Sequence, residues 1–467
     1  MSVIDISDPE LFLQRGLQLL QMGQYAEALM TFDEILQRCP NRADIWYSRG
    51  VALYELKRYP VALESFDLAL NIAPKVPVVH NHRGMTLFEM ERYEEAIASY
   101  QAAIRLRPDY HQAWYNQGNA AEKLGNLQTA LDCFERTIEL NPEYSKAWFN
   151  RGILFAKMGR YEEAIASFDQ TVAQRPNFAK AWYNRANLLN QLKRYEEALS
   201  SYDWLLSLRS NDSAIWYNRG NVLQRLGHYE EAIASYDEAL QLNPSMYEAW
   251  YNRGNSLDQL GRYEEAIESY RQALRLNPDL CAAWYNWGTT LHRSGRYETA
   301  LECYDQAIAL MPDFGRAWCS RGVALRKLGR YEEAIESCDR ALAIQADFAQ
   351  AWYCRGVALG HLGQNDAAIK SYDQAVTIEP QFYLAWYRRG TALSHMGRHA
   401  DAVTSFDQAL RIKPDFPDAQ ARRRLALQSC QGQQVIAAER LDEATSDSDD
   451  VLDSILFDVP QPPPDSD

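Results

Sequence analysis

Asparagine residues recur at a fixed spacing through the middle of the chain. One row repeats every 34 residues, and a second row lies three residues after members of the first. The rows are Asn116, Asn150, Asn184, Asn218, Asn252 and Asn286, and then Asn119, Asn187, Asn221 and Asn255. An amide side chain donates to a peptide carbonyl and accepts from a peptide N–H, so a regular row can hold an extended backbone with little regard to its side chains. The spacing therefore predicts a peptide-binding surface, with inherited repeat consensus and no ligand as the alternative.

Other residue types that do chemistry give weaker signals. His361 and His395 lie 34 residues apart, with His292 before them, which is a loose metal-site pattern without a fixed third ligand. The eight cysteines form no CxxC pair, and the sequence holds no phosphate loop, nucleophile elbow or paired-carboxylate motif. We therefore expect no enzymatic activity, no metal and no cofactor.

The elements that must position these side chains follow from the 34-residue period. Trp recurs on it at positions 46, 114, 148, 182, 216, 250, 284, 318, 352 and 386. With Trp as position 4, residues 9–416 divide without gaps into twelve units, which begin at 9, 43, 77, 111, 145, 179, 213, 247, 281, 315, 349 and 383. Phe12 and His80 fill the Trp position in the first and third units. This periodicity overrides the division into about three domains that the length alone favours.

Each unit has the residue pattern of a helical hairpin. Position 8 is Gly in eleven units and position 20 is Ala in all twelve, so two helices can approach closely, with Trp at position 4 and Tyr or Phe at position 24 filling the space around the contact. Position 15 is Gly in nine units, which predicts a helix end and a turn. Sequences such as Arg-Tyr-Glu-Glu-Ala follow, with acids in the first turn of the second helix, and Pro at position 32 ends that helix in ten units.

This pattern of Trp, Gly, Tyr, Ala, Phe or Tyr, Ala and Pro resembles the tetratricopeptide repeat family over residues 9–416. The resemblance implies an all-α fold, a right-handed superhelix or α-solenoid of twelve helix-turn-helix repeats. It also implies a concave groove lined by the first helix of each unit, which we call the A helix; the second is the B helix. The repeat variant is similar to repeats common in cyanobacterial proteins.

Twelve copies of one unit can covary among themselves. Position 7 is Arg in ten units, and an acid lies 16 residues earlier, at position 25 of the preceding unit. The pairs are Asp33 with Arg49, Asp67 with Arg83, Glu135 with Arg151, Asp169 with Arg185, Asp203 with Arg219, Asp237 with Arg253, Asp305 with Arg321, Asp339 with Arg355 and Asp373 with Arg389. Where position 25 is Gln101 or Arg271, position 7 is Gln117 or Trp287, so the acid and the Arg are lost together. We predict a ladder of ion pairs that joins successive units.

The ends of the chain differ from the repeats. The pairing continues as Asp407 with Arg423, which predicts that residues 417–440 form a capping helix. Residues 441–467 hold nine acids and no Lys or Arg, together with several Pro, which predicts a disordered acidic tail. The tail is either a solubilising tether or a ligand for the chain's own basic groove. Residues 1–8 form a short lead-in.

A helical wheel at about 100° per residue predicts which residues line the groove. Positions 2, 5, 6, 9, 12 and 13 lie opposite positions 4, 7, 8 and 11, and we call this set the A face. Its charged residues are Glu10, Asp44, Glu55 and Glu89 early in the chain, then Lys123, Lys146, Lys157, Lys180, Arg225, Arg293, Arg316 and Lys327, with Glu248 as an interruption. This change of sign favours an acidic ligand, and we select Lys146, Lys180 and Arg225 as binding residues beside the asparagines. Tyr or Phe at position 5 either contacts the ligand or packs between A helices.

Composition excludes several classes. With 63 acids against 48 bases the net charge is -15, which argues against nucleic acid as a partner. The sequence has no apolar run long enough to cross a membrane and no export signal at its start, so we expect a cytoplasmic protein without membrane insertion.

Taken together, the patterns predict a non-catalytic protein–protein interaction scaffold. We expect its groove to bind an extended acidic peptide or a protein partner, for assembly or regulation. The alternatives are a redox- or metal-linked regulator that uses Cys and His residues of units 9 to 12, and an assembly factor for a photosynthetic or membrane complex.

Overall fold

A computed structural model of the chain describes residues 9–431, and all 25 regular elements in that range are α-helices. The chain divides into two compact bodies, an N-terminal body of residues 1–210 and a C-terminal body of residues 211–467. Each body is an α-solenoid of helical hairpins, which confirms the fold class predicted from the sequence. None of the helices within residues 9–431 is long and apolar enough to cross a membrane.

Six hairpins make up the described part of the N-terminal body. Their helices are α1 (Pro9–Gln21), α2 (Tyr25–Arg38), α3 (Ala43–Glu55), α4 (Tyr59–Ile72), α5 (Pro77–Glu89), α6 (Tyr93–Leu106), α7 (His111–Lys123), α8 (Leu127–Leu140), α9 (Ser145–Lys157), α10 (Tyr161–Gln174), α11 (Ala179–Gln191) and α12 (Tyr195–Leu208). Odd-numbered helices are the A helices, and each begins at the first residue of a 34-residue unit.

The C-terminal body continues the same order with six hairpins and a final helix. Its helices are α13 (Ser213–Arg225), α14 (Tyr229–Leu242), α15 (Tyr247–Gln259), α16 (Tyr263–Leu276), α17 (Cys281–Arg293), α18 (Tyr297–Leu310), α19 (Gly315–Lys327), α20 (Tyr331–Ile344), α21 (Ala349–His361), α22 (Asn365–Ile378), α23 (Tyr383–His395), α24 (His399–Ile412) and α25 (Pro417–Cys430). α25 packs on α24. The remainder of the predicted capping helix, the acidic tail and the lead-in lie outside the described residues.

The turn inside each hairpin uses a left-handed residue at position 15. Nine glycines hold φ between 72° and 80° there, and Lys57, Glu91 and Lys193 take the same conformation in the other units at 57° to 60°. In the fifth unit the N–H of Arg160 donates to the carbonyl of Phe155 at 2.8 Å across Gly159, so the end of α9 is capped by its own backbone. The predicted helix end at position 15 is confirmed.

The glycine at position 8 lies directly under the ring at position 24. A Cβ added to Gly152 would lie 2.7 Å from Cε1 of Phe168, and one added to Gly254 would lie 2.7 Å from Cε1 of Tyr270. Both rings are fully buried. In these two hairpins the helices therefore pack at a distance that leaves no room for a Cβ at position 8.

The Trp at position 4 closes the turn between units. Trp148 Nε1 donates to the carbonyl of Pro142 at 2.8 Å, and the same bond recurs along the chain six residues back. His80, which replaces Trp in the third unit, places Nε2 2.9 Å from the Pro74 carbonyl, and Gln420 of α25 donates to the Pro414 carbonyl at 2.9 Å. The polar end of the side chain, and not only its bulk, is therefore retained at this position.

The predicted ion-pair ladder is confirmed within each body. Nine pairs form: eight have N–O distances of 2.5 to 3.2 Å, and Arg423 with Asp407 is the ninth. The pair of Asp203 with Arg219 has one residue in each body and stays a prediction. Arg253 is 17 % exposed and Asp237 is 44 % exposed, so the pairs are half-buried.

A serine at position 23 completes eight of the nine observed ladder steps, and the sequence analysis missed it. Arg253 Nη1 donates to Ser269 Oγ at 2.7 Å, and that hydroxyl donates to the carbonyl of Glu265 at 2.8 Å. A signal was available in the sequence, because position 23 is Cys133 and Cys303 in the two units that lack Arg at position 7. Each of these eight arginines thus joins an acid of one hairpin to a serine of the next.

We expect Gly152→Ala to destabilise the chain by about 1–3 kcal/mol, because the new methyl group overlaps the Phe168 ring. Gly360→Ala is the matched control: it also lies within a helix, but its added Cβ meets nothing closer than 3.8 Å. The control should be neutral or slightly stabilising. Urea denaturation followed by circular dichroism measures both changes, and equal midpoints for the two variants would contradict the close-packing argument.

The ladder predicts energetic coupling between Asp237 and Arg253. A double-mutant cycle with alanine at both positions should give a coupling energy of about 1 kcal/mol, because the pair is half-buried and hydrogen-bonded. The same cycle at Gln101 and Gln117, which make no mutual hydrogen bond among the described residues, should be additive. Additive effects at both pairs would show that the arginine ladder does not stabilise the repeat interface.

Candidate ligand-binding face

The structure places every predicted asparagine on an A helix. In the N-terminal body, Asn116 and Asn119 lie on α7, Asn150 on α9, and Asn184 and Asn187 on α11. In the C-terminal body, α13 carries Asn218 and Asn221, α15 carries Asn252 and Asn255, and α17 carries Asn286. Those of the N-terminal body are half-buried, whereas Asn252 is buried at 6 % exposure.

Asparagines of neighbouring units bond to each other in the N-terminal body. Asn150 Nδ2 donates to Asn119 Oδ1 at 2.8 Å and to the Tyr115 hydroxyl at 3.1 Å. Asn116 Nδ2 donates to Asn81 Oδ1 at 3.0 Å. The side-chain amide at position 6 therefore donates its hydrogen bonds to residues of the preceding unit.

The same network repeats in the C-terminal body. Asn252 Nδ2 donates to Asn221 Oδ1 at 2.9 Å and to the Tyr217 hydroxyl at 3.2 Å. Asn286 makes the equivalent bonds to Asn255 and Tyr251, at 2.9 and 3.0 Å.

A tyrosine at position 24 adds a third donor, which the sequence analysis did not foresee. Tyr236 donates to Asn221 Oδ1 at 2.9 Å, Tyr270 to Asn255 at 2.9 Å, and Tyr202 to Asn187 at 2.6 Å. Burial raises the pKa of Tyr236 and Tyr270, so these phenols stay neutral and keep the proton that they donate. Asn at position 9 is thus an acceptor within the fold.

These bonds give the asparagine rows a packing role beside the predicted peptide-binding role. Part of the amide capacity remains in the N-terminal body, because Asn150 Oδ1 accepts no hydrogen bond within residues 9–431. Asn184, half-buried on α11, makes no side-chain hydrogen bond within the same residues. Both groups are acceptors or donors that a ligand can use.

Two of the basic A-face residues have acidic partners, which lowers the net positive charge expected there. Lys157 pairs with Glu122 at 2.6 Å, and Arg293 pairs with Asp258 at 2.5 Å. Each acid lies at position 12 of the preceding unit, 35 residues earlier, a spacing that was readable in the sequence. Thr290 also donates to Asp258 at 2.7 Å. These two bases are therefore already paired within the fold.

The three bases selected as binding residues remain available. Lys146, Lys180 and Arg225 are exposed, and none of them forms an ion pair within the described part of the chain. Lys146 and Asn150 lie four residues apart on α9, as Lys180 and Asn184 do on α11, so each lysine shares a helix face with its asparagine.

Several cysteines and histidines of the last units make packing contacts. Burial raises the pKa of Cys319, and the hydrogen bond to Cys354 together with burial raises that of Cys338, so both thiols are protonated. His361 stacks on Tyr331 with ring centroids 4.7 Å apart. Residues 9–431 contain no group of three or more His, Cys, Asp or Glu placed to hold a metal ion.

Comparison with known proteins identifies the repeat. One family model described as tetratricopeptide repeat matches residues 13–77, 83–145, 116–165, 149–213, 217–280 and 285–350, and a second with the same description matches 349–382 and 383–416. Among curated proteins, none matches the chain.

Solved structures of repeat proteins resemble the chain only at low TM-scores. YrrB, described as a TPR protein with an unusual peptide-binding site, is 28 % identical over 39 % of this chain and 93 % of its own, with a TM-score of 0.36. The Cut9–Hcn1 hetero-tetramer of APC/C is 14 % identical over 90 % of this chain and 97 % of its own, with a TM-score of 0.42. The C-terminal part of a TPR repeat-containing protein from Cytophaga hutchinsonii is 20 % identical over 51 % of this chain and 98 % of its own, with a TM-score of 0.45. All three TM-scores lie below 0.5, so these structures say nothing about the partner of this chain.

The hydrogen-bond network predicts a stability cost at position 24. Tyr236→Phe should destabilise the chain by about 1 kcal/mol, because it removes the donor to Asn221 and keeps the ring. Tyr229→Phe is the control, since the Tyr229 hydroxyl makes no hydrogen bond within the described residues. Unfolding in urea gives the free energy of unfolding of both variants. If Tyr236→Phe is as stable as the wild type, the hydrogen bond to Asn221 does not stabilise the fold.

Proposed function

Because the chain belongs to the tetratricopeptide repeat family, whose repeats support protein–protein interaction scaffolds, we propose that its A face binds an extended acidic segment of a partner. The binding residues are those chosen from the sequence: the ten asparagines with Lys146 and Lys180 in the N-terminal body and Arg225 in the C-terminal body. The scaffold is non-catalytic and serves assembly or regulation.

The observation that carries the proposal is the pairing of a free cation with an available amide on two successive A helices. Lys146 with Asn150, and Lys180 with Asn184, repeat at the 34-residue spacing. Each pair offers one ammonium group for a carboxylate and one amide group for a peptide bond. An extended acidic segment supplies both groups at every residue or two.

Charge supports the sign of the ligand. Two exposed lysines without acidic partners in the described chain attract carboxylates at low ionic strength, and this attraction weakens with salt because exposed charges are screened within about 10 Å at 0.1 M. The chain's own tail is one acidic segment that fits this chemistry; its docking on other residues is considered below.

The free thiols support a location in a reducing compartment. All eight cysteines are free, including the exposed Cys430. Proteins of oxidising compartments seldom retain so many unpaired thiols. We therefore place the protein in the cytoplasm.

We expect Lys146→Ala with Lys180→Ala to weaken binding of an acidic peptide at least about tenfold, at roughly 1 kcal/mol for each lost charge contact. Peptides selected by the full-length chain from a random library, labelled with fluorescein and measured by anisotropy, supply the assay. Lys75→Ala with Lys370→Ala removes the same charge from other exposed sites and should leave the affinity within twofold or so.

A third variant separates amide from charge recognition. Asn184→Ala should weaken the peptide without changing the salt dependence, because it removes a neutral group that makes no hydrogen bond within residues 9–431. If both lysine variants bind equally, or the selected peptides carry no excess of Asp and Glu, the proposed acidic specificity is wrong.

A further inference from the structure

The A face changes character in the last units of the C-terminal body. Its centre on α19, α21 and α23 carries Cys, Val and Leu beside two tyrosines, in contrast to the asparagines and tyrosines that bond to each other on α13 to α17. The residues are Cys319, Val323, Tyr353, Val357, Leu384 and Tyr387, and all are at most 2 % exposed. In the N-terminal body Ile153, at the same repeat position as Val323 and Val357, is only half-buried. We call these six residues the apolar strip.

Three thiols and a valine replace the polar network between the tenth and eleventh units. Cys319 stands where other units have Tyr at position 5, Cys338 where they have Tyr or Phe at position 24, and Cys354 where they have Asn at position 6. Val323, Cys338 and Cys354 form one packed cluster. The groups that bond unit to unit elsewhere are here exchanged for groups that favour an apolar neighbour.

The surroundings of the apolar strip are basic. Its flanking A-face residues on α19, α23 and α25 include Arg316, Arg326, Lys327, Arg388 and Arg422. Asp418 is the single acid at A-face positions of these four A-type helices. Arg326 and Arg388 are 4 % and 9 % exposed in the full-length chain, a burial that a guanidinium group tolerates only beside anionic or polar atoms.

Residues 449–459 of the same chain have the complementary pattern. Val451, Leu452, Ile455, Leu456 and Val459 fall within an arc of about 140° on a helical wheel. Asp449, Asp450, Asp453 and Asp458 fall on the remaining arc, together with Phe457. An amphipathic helix with this distribution buries apolar side chains in a strip and presents carboxylates to its basic border.

We propose that residues 449–459 dock on the apolar strip of α19, α21 and α23, as an intramolecular ligand held by the basic residues around it. The site differs from the lysine and asparagine pairs of the proposed function, and neither proposal requires the other. A partner with an acidic amphipathic helix competes with the tail for the strip.

The connecting segment is long enough for this docking. Seventeen residues separate Gln431, the last described residue, from Asp449, and they can span up to about 60 Å. α25 and α19 are three A-helix steps apart, or about 30 Å at roughly 10 Å for each step. Because the segment is tethered, its effective concentration is in the millimolar range, so even a weak contact is mostly formed.

Thiol labelling tests the docking in the full-length chain. Val357→Cys places a reporter in the strip, and Cys133 and Cys303, each 2 % exposed between helices, are internal references. Mass spectrometry follows alkylation by a maleimide, with the native tail and with Leu452→Ser, Ile455→Ser and Leu456→Ser together. We expect the tail changes to speed labelling of the reporter about tenfold and to leave the references unchanged.

A matched tail variant and a second reporter complete the test. Pro462→Ser, Pro463→Ser and Pro464→Ser change three tail residues outside the docking segment and should leave the labelling rate unchanged. Ser394→Cys on α23 replaces the reporter if Val357→Cys alters the melting temperature. Equal labelling of the reporter with the native and the serine-substituted tail overturns the proposal.

Charge and independence from the peptide site are tested with the same proteins. Asp449→Asn, Asp450→Asn and Asp453→Asn together should speed labelling, and 0.5 M salt should reproduce this effect with the native tail. If neither the three Asp→Asn substitutions nor 0.5 M salt changes the labelling rate of the reporter, the basic residues around the strip do not hold the tail. Peptide binding that depends on Lys146 and Lys180 is measured separately, so either result stands if the other fails.

Discussion

The contact of an aromatic ring with a glycine fixes the distance between the two helices in ten of the twelve hairpins, and the other interactions depend on that distance. In the eighth unit the Tyr270 ring fills the space where a Cβ of Gly254 would lie. Arg253, the residue before this glycine, can then reach both Asp237 of the preceding hairpin and Ser269 of its own at hydrogen-bond distance. A wider hairpin would separate the guanidinium group from one of these partners. The packing contact and the ion-pair ladder are therefore one mechanism for repeating the same geometry from unit to unit.

That repetition gives the A face a set of equivalent sites whose chemistry can change without a change of backbone. At positions 5, 6, 9 and 24 the middle units carry Tyr and Asn, which bond across units. The tenth unit carries Cys319, Ser320, Val323 and Cys338 at these positions, and the helices keep the same length and order. The polar version satisfies its own donors and acceptors, so it offers a ligand only the groups left over. The apolar side chains have no hydrogen-bond donors or acceptors to satisfy, and their contribution to stability depends on what covers them.

This difference explains why binding residues and packing residues are hard to separate in a repeat protein. An asparagine in mid-helix is unfavourable by propensity, so its recurrence requires a reason. Asn252 has one within the fold, because its amide bonds to Asn221 and Tyr217 and it is buried. Asn184 has no such bond within the described residues and lies beside the exposed Lys180. The same residue type at the same repeat position thus serves packing in one unit and remains open to a ligand in another.

The sequence alone determined the repeat, the helix boundaries at Gly and Pro, and the arginine–acid pairs, because each of these depends on residues at fixed offsets that recur in most of the twelve units. Regular offsets also carried the signal for the serine at position 23, which was overlooked. Only the tertiary structure decided how the amides are used, and it showed which of the acid–base spacings in the sequence are contacts. The 35-residue spacing of Glu122 and Lys157 is such a contact, whereas Lys180 does not meet an acid in the described chain. Hydrogen bonds and ion pairs between units depend on which side chains come within about 3 Å after packing, and that distance is set by the stacking of hairpins and not by any one of them.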